Sequence, residues 1–443
     1  IAYGGGFGEF PNDKYFIHKG TVFSDRSPKP HYPEMKKAFQ WIHISVEDAA
    51  TATIKVKNLY QFISLNGYTG SWSLTENGKE ISSGKLNVAD LKPGAEKTIS
   101  LPVKVASPKA GAEYFVRVSF IQNNNELWAK KGFEVATHQF QFPVKVAEIP
   151  VAEAKTPVIL AQNEKEVTVK GNGFAVVFDK ASGTFSSLKK GNQELLIAQG
   201  GPKLHLWRAP HRNDDMWADR DWNKYGVKEL KWTVDEVTAS QLDANNAQIS
   251  VKMKGEGKEG FSVTFEATYK VTGNGEIIAS NKVDSSNPKV VVGRLGVRLM
   301  LNKQMDQISY FGRGPMENYS DRKGGFDVGM YSSTIAQQMT PYEKPMDCGN
   351  HEDVRWAEIS QKGVAALKIT SDKDLMQFTA IPYTDEEMEK VEYRIDLPQS
   401  SATVLCISHK TLGVGSAGCG PKPLPEYQVF AEPTSFSYTL KLQ

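Results

Sequence analysis

The feature that most constrains this chain is a period of two. Short runs alternate apolar and polar side chains along nearly its whole length, as in Thr53-Ile-Lys-Val-Lys57, Tyr114-Phe-Val-Arg-Val-Ser-Phe120, Phe174-Ala-Val-Val-Phe178 and Ser435-Phe-Ser-Tyr-Thr-Leu440. Successive side chains of a strand point to opposite faces, so each run writes one buried face and one solvated face. Turn pairs such as Asn77-Gly78 and Pro93-Gly94 separate the runs. Long runs with helical spacing are nearly absent. A sheet with one apolar face must stack on a second layer, so the pattern predicts an all-β protein made of sandwiches.

Roughly seven such strands between Lys36 and Val146 fit an immunoglobulin-like sandwich of about 100 residues, here residues 36–146. The composition then shifts to Ala, Glu, Pro and Val, which reads as a linker over 147–165. Residues 166–443 are too many for a simple sandwich and predict a large two-sheet unit with long inserted loops. The first 35 residues open on a dense glycine run, Tyr3-Gly-Gly-Gly-Phe-Gly-Glu9, which reads as the end of a further domain.

A formal net charge of +2 argues against a nucleic-acid or membrane partner recruited by bulk charge, and no apolar run is long enough to span a bilayer. Cys348, Cys406 and Cys419 are widely spaced and odd in number, so they predict neither a disulfide framework nor a zinc site and fix no compartment. Nothing visible in the residues requires a cofactor.

Polar and aromatic residues crowd into three further segments, each expected to be a loop: Leu206-Trp-Arg-Ala-Pro-His-Arg-Asn-Asp-Asp-Met-Trp217, Phe311-Gly-Arg-Gly-Pro-Met-Glu-Asn-Tyr-Ser-Asp-Arg322 and Cys348-Gly-Asn-His-Glu-Asp-Val-Arg-Trp356. They offer Asp214, Asp215, Glu317, Asp321, Glu352 and Asp353. Two of these could serve as acid and nucleophile on a sugar, given carboxyls about 5–5.5 Å apart for retention or about 6.5–9.5 Å for inversion. The competing reading is architectural: Asp–Arg and Glu–Arg pairs pin long loops to the sheets. His351 lacks a second histidine at ligand spacing, and Pro341 and Pro345 place it in a loop, so no metal is expected there. The glycines of 413–420 are not followed by the Lys-Ser/Thr of a phosphate loop. Trp72, Trp128, Trp207, Trp217, Trp222, Trp232 and Trp356 keep a second class of function open, a non-catalytic carbohydrate-binding or structural β-sandwich.

Taken in order, these motifs resemble the C-terminal part of a large bacterial β-galactosidase of glycoside hydrolase family 2. Tyr3-Gly-Gly-Gly-Phe-Gly-Glu9, Pro11-Asn-Asp13 and Val22-Phe-Ser-Asp-Arg26 look like the end of that family's catalytic (β/α)8 barrel. Residues 36–146 look like its second immunoglobulin-like domain. Trp207-Arg-Ala-Pro210 with Asn213-Asp214, Gly312-Arg-Gly-Pro-Met-Glu-Asn-Tyr-Ser-Asp-Arg322 and Asp353-Val-Arg-Trp356 are similar to signatures of its last domain, a supersandwich related to galactose mutarotases.

The resemblance implies a retaining β-galactosidase whose two catalytic glutamates lie upstream of Ile1, so that this chain alone is inactive. It implies a β-galactoside and the remaining domains of the polypeptide as partners, is compatible with a homo-oligomer, and leaves a cytoplasmic or a periplasmic location open. Magnesium and sodium sites belong mainly to the catalytic part. Asp13 matches the rim of the galactose pocket, and the backbone carbonyl of Phe16 matches a sodium ligand, although Lys19 stands where the partner Asn is expected. Gly6 replaces an Asp of well-known members. The stretch 413–420 matches a loop that reaches the active site, with Cys419 or Gly420 where the family often presents a Trp to the substrate. Arg208, Asn213, Asp214, Arg313, Glu317, Asn318, Tyr319, Arg322, Asn350, Arg355 and Trp356 are implied to be mainly architectural.

Overall fold

The computed structural model describes all residues except 1, 15–17, 19, 89, 149–152, 216, 373 and 416–421. Its chain divides into two compact units. One holds residues 28–152 with 324–330; the other holds 1–27, 153–323 and 331–443.

The smaller unit is a seven-stranded sandwich. Ile42–Asp48, Thr53–Asn58 and Glu96–Ser100 form a three-stranded sheet, and Tyr68–Glu76, Lys79–Leu86, Tyr114–Gln122 and Glu134–Gln141 form a four-stranded one. Alternation does what the sequence predicts: every second residue of Thr53–Asn58 and of Tyr68–Leu74 is buried. Ile42, Ile54, Val56, Trp72, Leu74, Val116, Val118 and Phe120 form the shared core. The strand Tyr114–Gln122 departs from strict alternation. On its other face Arg117 bonds Asp327 at 2.6 Å and Glu134 at 2.8 Å, which ties 324–330 into this unit.

Three sheets build the larger unit. The first runs from Ile159–Gln162 through Glu166–Gly171, Phe174–Asp179 and Thr184–Lys190 to Gln193–Glu194. Compositional reading had assigned 147–165 to a linker; Ile159–Gln162 is instead an edge strand paired with Val167–Lys170. A second five-stranded sheet orders Lys203–His205, Arg294–Asn302, Ala402–Thr411, Met376–Ile381 and Asn350–Val354. The third has nine strands and includes the long antiparallel run from Lys231 to Ser285 and the C-terminal strand Thr434–Leu442. All described pairings are antiparallel, and the helices are short. The all-β class therefore holds.

One correction concerns the segment around His351. It was expected to be a loop, but Asn350–Val354 is a strand, paired with Met376–Ile381 through an irregular register. The irregularity coincides with Asp353, whose φ of 52° lies in the left-handed region that Asp tolerates better than most residues.

Candidate functional site

Signature residues from distant parts of the chain converge on the stem of the glycine loop. Trp207 and Arg208 follow the strand Lys203–His205. Arg208 is fully buried. It holds Asp214 in a fork, with Nε to Oδ2 and Nη2 to Oδ1 both at 2.9 Å, and it also donates to the carbonyls of Leu412 and Gly413. Asn213 Nδ2 donates to the Val414 carbonyl at 2.8 Å. From the second motif, Asp321 accepts the amides of Val414 at 3.0 Å and Gly415 at 2.8 Å. A planar fork against carbonyls on one side and a carboxylate against amides on the other satisfy both polarities of this backbone.

Glycine at 413 follows from this geometry, since a Cβ there would lie 2.5 Å from Asp321 Oδ2. Gly415 sits at φ 95°, where other residues are strained. Cys419 and Gly420, expected at the loop's tip, fall outside the described residues, as do Phe16 and Lys19.

Beside the stem lies a buried ionic core. Glu317 is only 4% exposed and accepts four donors: Thr340 Oγ1 at 2.6 Å, the Gly349 amide at 2.7 Å, Tyr342 OH at 2.8 Å and Arg322 Nη2 at 3.0 Å. Burial alone would raise its pKa, but Arg322 and the hydrogen bonds hold it below the ordinary carboxylate range. Tyr319 OH donates to Asp347 at 2.8 Å, and Arg294 pairs with the same carboxylate. Asn318 Oδ1 accepts the Glu352 amide at 2.8 Å, and Asn350 Nδ2 returns to the Asn318 carbonyl at 2.8 Å, which joins the second and third motifs.

Glu352 fares differently from Glu317. It is 3% exposed, with Asn350 Nδ2 at 3.2 Å and Lys323 Nζ at 3.5 Å. Burial pushes its pKa up to about 7, and Lys323 only partly offsets this. Asp353 pairs with Arg313 and with Lys323 at 3.0 Å. Arg355 reaches the Asp353 carbonyl and lies over Phe311, while Lys368 Nζ stands 4.8 Å over Trp356. His351 is fully buried and its pKa falls to about 4 through burial; Nε2 bonds Gln338 at 2.6 Å and Nδ1 lies 2.9 Å from the Arg313 carbonyl. No metal role fits a histidine with both ring nitrogens engaged.

Of the N-terminal residues, Asp13 is exposed on a turn closed by Gly4 N to Lys14 O at 3.0 Å. Glu9 caps the glycine run by accepting the amides of Gly5 and Phe7. Tyr3 stacks on Tyr393 at 4.4 Å. A Cβ at Gly6 would meet the Tyr3 carbonyl at 2.8 Å, so an Asp has no room here. Phe7 and Phe10 are 90% and 92% exposed. Among the tryptophans, Trp207 and Trp222 are core residues at 1% and 0%, and Trp72 is buried at 5%, so none of these three offers an open platform.

Sequence reasoning missed Asp347, Asp385, Arg294 and His205. Asp385 joins His205 Nε2 at 2.8 Å and the Ala209 amide at 2.8 Å. With Cys406 these two bring ligand-type atoms within 4.8 Å of one another. Against the effect of burial, the His205 hydrogen bond, with Arg294 and Arg298, holds Asp385 well below the ordinary carboxylate range, while burial and then Arg298 lower the pKa of His205 to about 4. The available signal was an Arg inside the apolar run 290–298, because a charge in such a run needs a buried partner.

The profile of the β-galactosidase small chain matches residues 170–441, and that of β-galactosidase domain 4 matches residues 54–143. A β-galactosidase of Priestia megaterium is 30% identical over 450 residues, covering 100% of this chain and 42% of that protein. One of Streptococcus thermophilus is 26% identical over 443 residues, again covering 100% and 42%. The chain thus spans well under half the length of these curated relatives. A galactose 1-epimerase from Lactobacillus acidophilus NCFM overlaps 66% of this chain at 10% identity and a TM-score of 0.37, a likeness too loose to argue from.

Proposed function

Because this chain belongs to the β-galactosidase small-chain family, with a β-galactosidase domain 4 ahead of that match, we propose that it is the C-terminal portion of a retaining β-galactosidase. Its substrate class is the terminal, non-reducing β-D-galactoside. In this reading the chain holds a loop against the sugar site and does not cleave the bond.

The observation that carries the proposal is the clamp on residues 412–415. Arg208, Asn213 and Asp321 reach this stem from two separate motifs and bond its backbone, with Arg208 oriented by its fork to Asp214. Retaining hydrolysis needs two carboxyls about 5–5.5 Å apart, one of them available as an acid. Most of the candidate acids are engaged, Asp214 by Arg208, Glu317 by four donors, Asp321 by two backbone amides and Asp353 by Arg313 and Lys323, while Glu352, raised to about 7, is buried at 3% exposure. In this reading the two catalytic glutamates, with the magnesium and sodium sites, belong to another part of the enzyme. Exposed Phe7 and Phe10 favour this reading over a freestanding binding module, because paired apolar side chains suit contact with more protein.

The test is hydrolysis of a chromogenic aryl β-galactoside by the purified 443-residue chain at high concentration. No turnover is expected. Turnover that follows the chain and disappears in Glu317→Gln or Asp215→Asn would overturn the proposal.

A further inference from the structure

Four Asn-Gly pairs lie in links between strands: Asn66-Gly67, Asn77-Gly78, Asn172-Gly173 and Asn274-Gly275. In such a pair the glycine amide nitrogen can attack the asparagine side-chain carbonyl, because no Cβ shields it. The fold treats the four pairs in two ways.

Two pairs are open. Asn66 and Asn172 are exposed, and their side chains make no hydrogen bond among the described residues. The amides of Gly67 and Gly173 have no partner there either. A Cβ at either glycine would meet nothing within 4 Å, so approach is free from that side. The bonds that do fix these turns leave both reacting atoms untouched. Asn123 Nδ2 donates to the Asn66 main-chain carbonyl at 3.3 Å, and the Gly191 amide donates to the Gly173 carbonyl at 2.8 Å.

The other two are closed. Asn77 Oδ1 accepts the Glu113 amide at 2.8 Å, and the Asn77 amide donates back to the Glu113 carbonyl at 2.9 Å. A Cβ at Gly78 would lie 2.6 Å from Met330. Gly275 is buried, and its amide, the nucleophile of that pair, donates to the Thr272 carbonyl at 3.0 Å.

We propose that Asn66 and Asn172 are modification sites, where water converts the side-chain amide to a carboxylate through a cyclic imide, and that Asn77 and Asn274 are protected. The glycine nitrogen bonds to the side-chain carbonyl carbon and gives up its proton. The bond from that carbon to the amide nitrogen breaks, and ammonia leaves with the proton. Water from the solvent then opens the ring at either carbonyl, giving aspartate or isoaspartate with no change of oxidation state. Isoaspartate routes the main chain through the side chain and adds one backbone atom. At Asn172 this lengthens the two-residue link between the strands Glu166–Gly171 and Phe174–Asp179. Each conversion adds one negative charge, so reaction at both sites takes the formal net charge from +2 to 0.

Peptide mapping by mass spectrometry tests the proposal, on the whole chain incubated in mildly alkaline buffer with and without urea. Dividing each site's rate in the native chain by its own rate in urea removes the influence of neighbouring sequence. The ratio should be at least about tenfold greater at Asn66 and Asn172 than at Asn77 and Asn274. A native chain in which Asn77 or Asn274 keeps pace with either open site would overturn the proposal. So would retention of both open amides in the native chain while the unfolded chain reacts.

Discussion

Glu317 and Glu352 sit in neighbouring motifs, and both are almost completely buried, at 4% and 3% exposure. They nonetheless end on opposite sides of the ordinary glutamate range. Glu317 has four donors, including a guanidinium, and stays ionised below that range. Glu352 has one amide and one lysine at longer distances and is pushed up to about 7. Burial is common to both; the donor count decides the sign. A buried acid with a raised pKa is a familiar mark of catalysis, but here it follows from burial with incomplete pairing beside a strand irregularity, and the neighbouring carboxylate, Asp353, is held by Arg313 and by the Lys323 that both acids share.

Removing the better-satisfied acid should hurt most. Glu317→Gln turns an acceptor of four bonds into a group with its own donors and leaves Arg322 buried without a counter-charge. We expect a loss of about 3 kcal/mol in urea unfolding at pH 7. Its folded pKa is lowered, so the native contribution exists above the unfolded value and fades as pH falls through the folded one; the variant and the parent should converge in acid.

Glu352→Gln should act in the opposite direction. The folded pKa of about 7 exceeds the ordinary 4.5, so between these values the unfolded chain ionises while the native one stays protonated. Stability is therefore lost as pH rises across this window. The variant should gain on the parent from about pH 4.5 upward and lead by on the order of 2 kcal/mol above pH 7, read as a difference in unfolding midpoint against pH. A variant curve parallel to the parent's would place Glu352 in an ordinary environment.

Smallest of the three is Asp353→Asn. Asparagine tolerates the left-handed backbone at φ 52°, so only the pairing with Arg313 and Lys323 is lost. These groups are partly exposed, and the cost should be about 1 kcal/mol or less by the same unfolding measurement.

How legible this was in the sequence depends on burial symmetry. Thr53–Asn58 and Phe174–Asp179 bury one face each, and their alternation announces them. Met376–Ile381 is buried at all six positions and Ala402–Thr411 at nearly all, so neither alternates and neither stands out by period. Within the site, motif residues could be named but not partnered. Asp214 and Glu317 look alike as letters, yet one meets Arg208 six residues before it and the other collects Thr340, Tyr342 and Gly349 from a different motif. Asp347 and Asp385 were invisible because their partners, Arg294 and His205, are remote in sequence.

The central claim is that signature residues act by holding the stem of the glycine loop. Amide hydrogen exchange at Val414 and Gly415 tests it most directly, because both amides donate to Asp321. The account predicts slow exchange in the parent chain and at least about tenfold faster exchange at these two amides in Asp321→Asn, with the strand Ala402–Thr411 unchanged. Rapid exchange at both amides in the parent would contradict it.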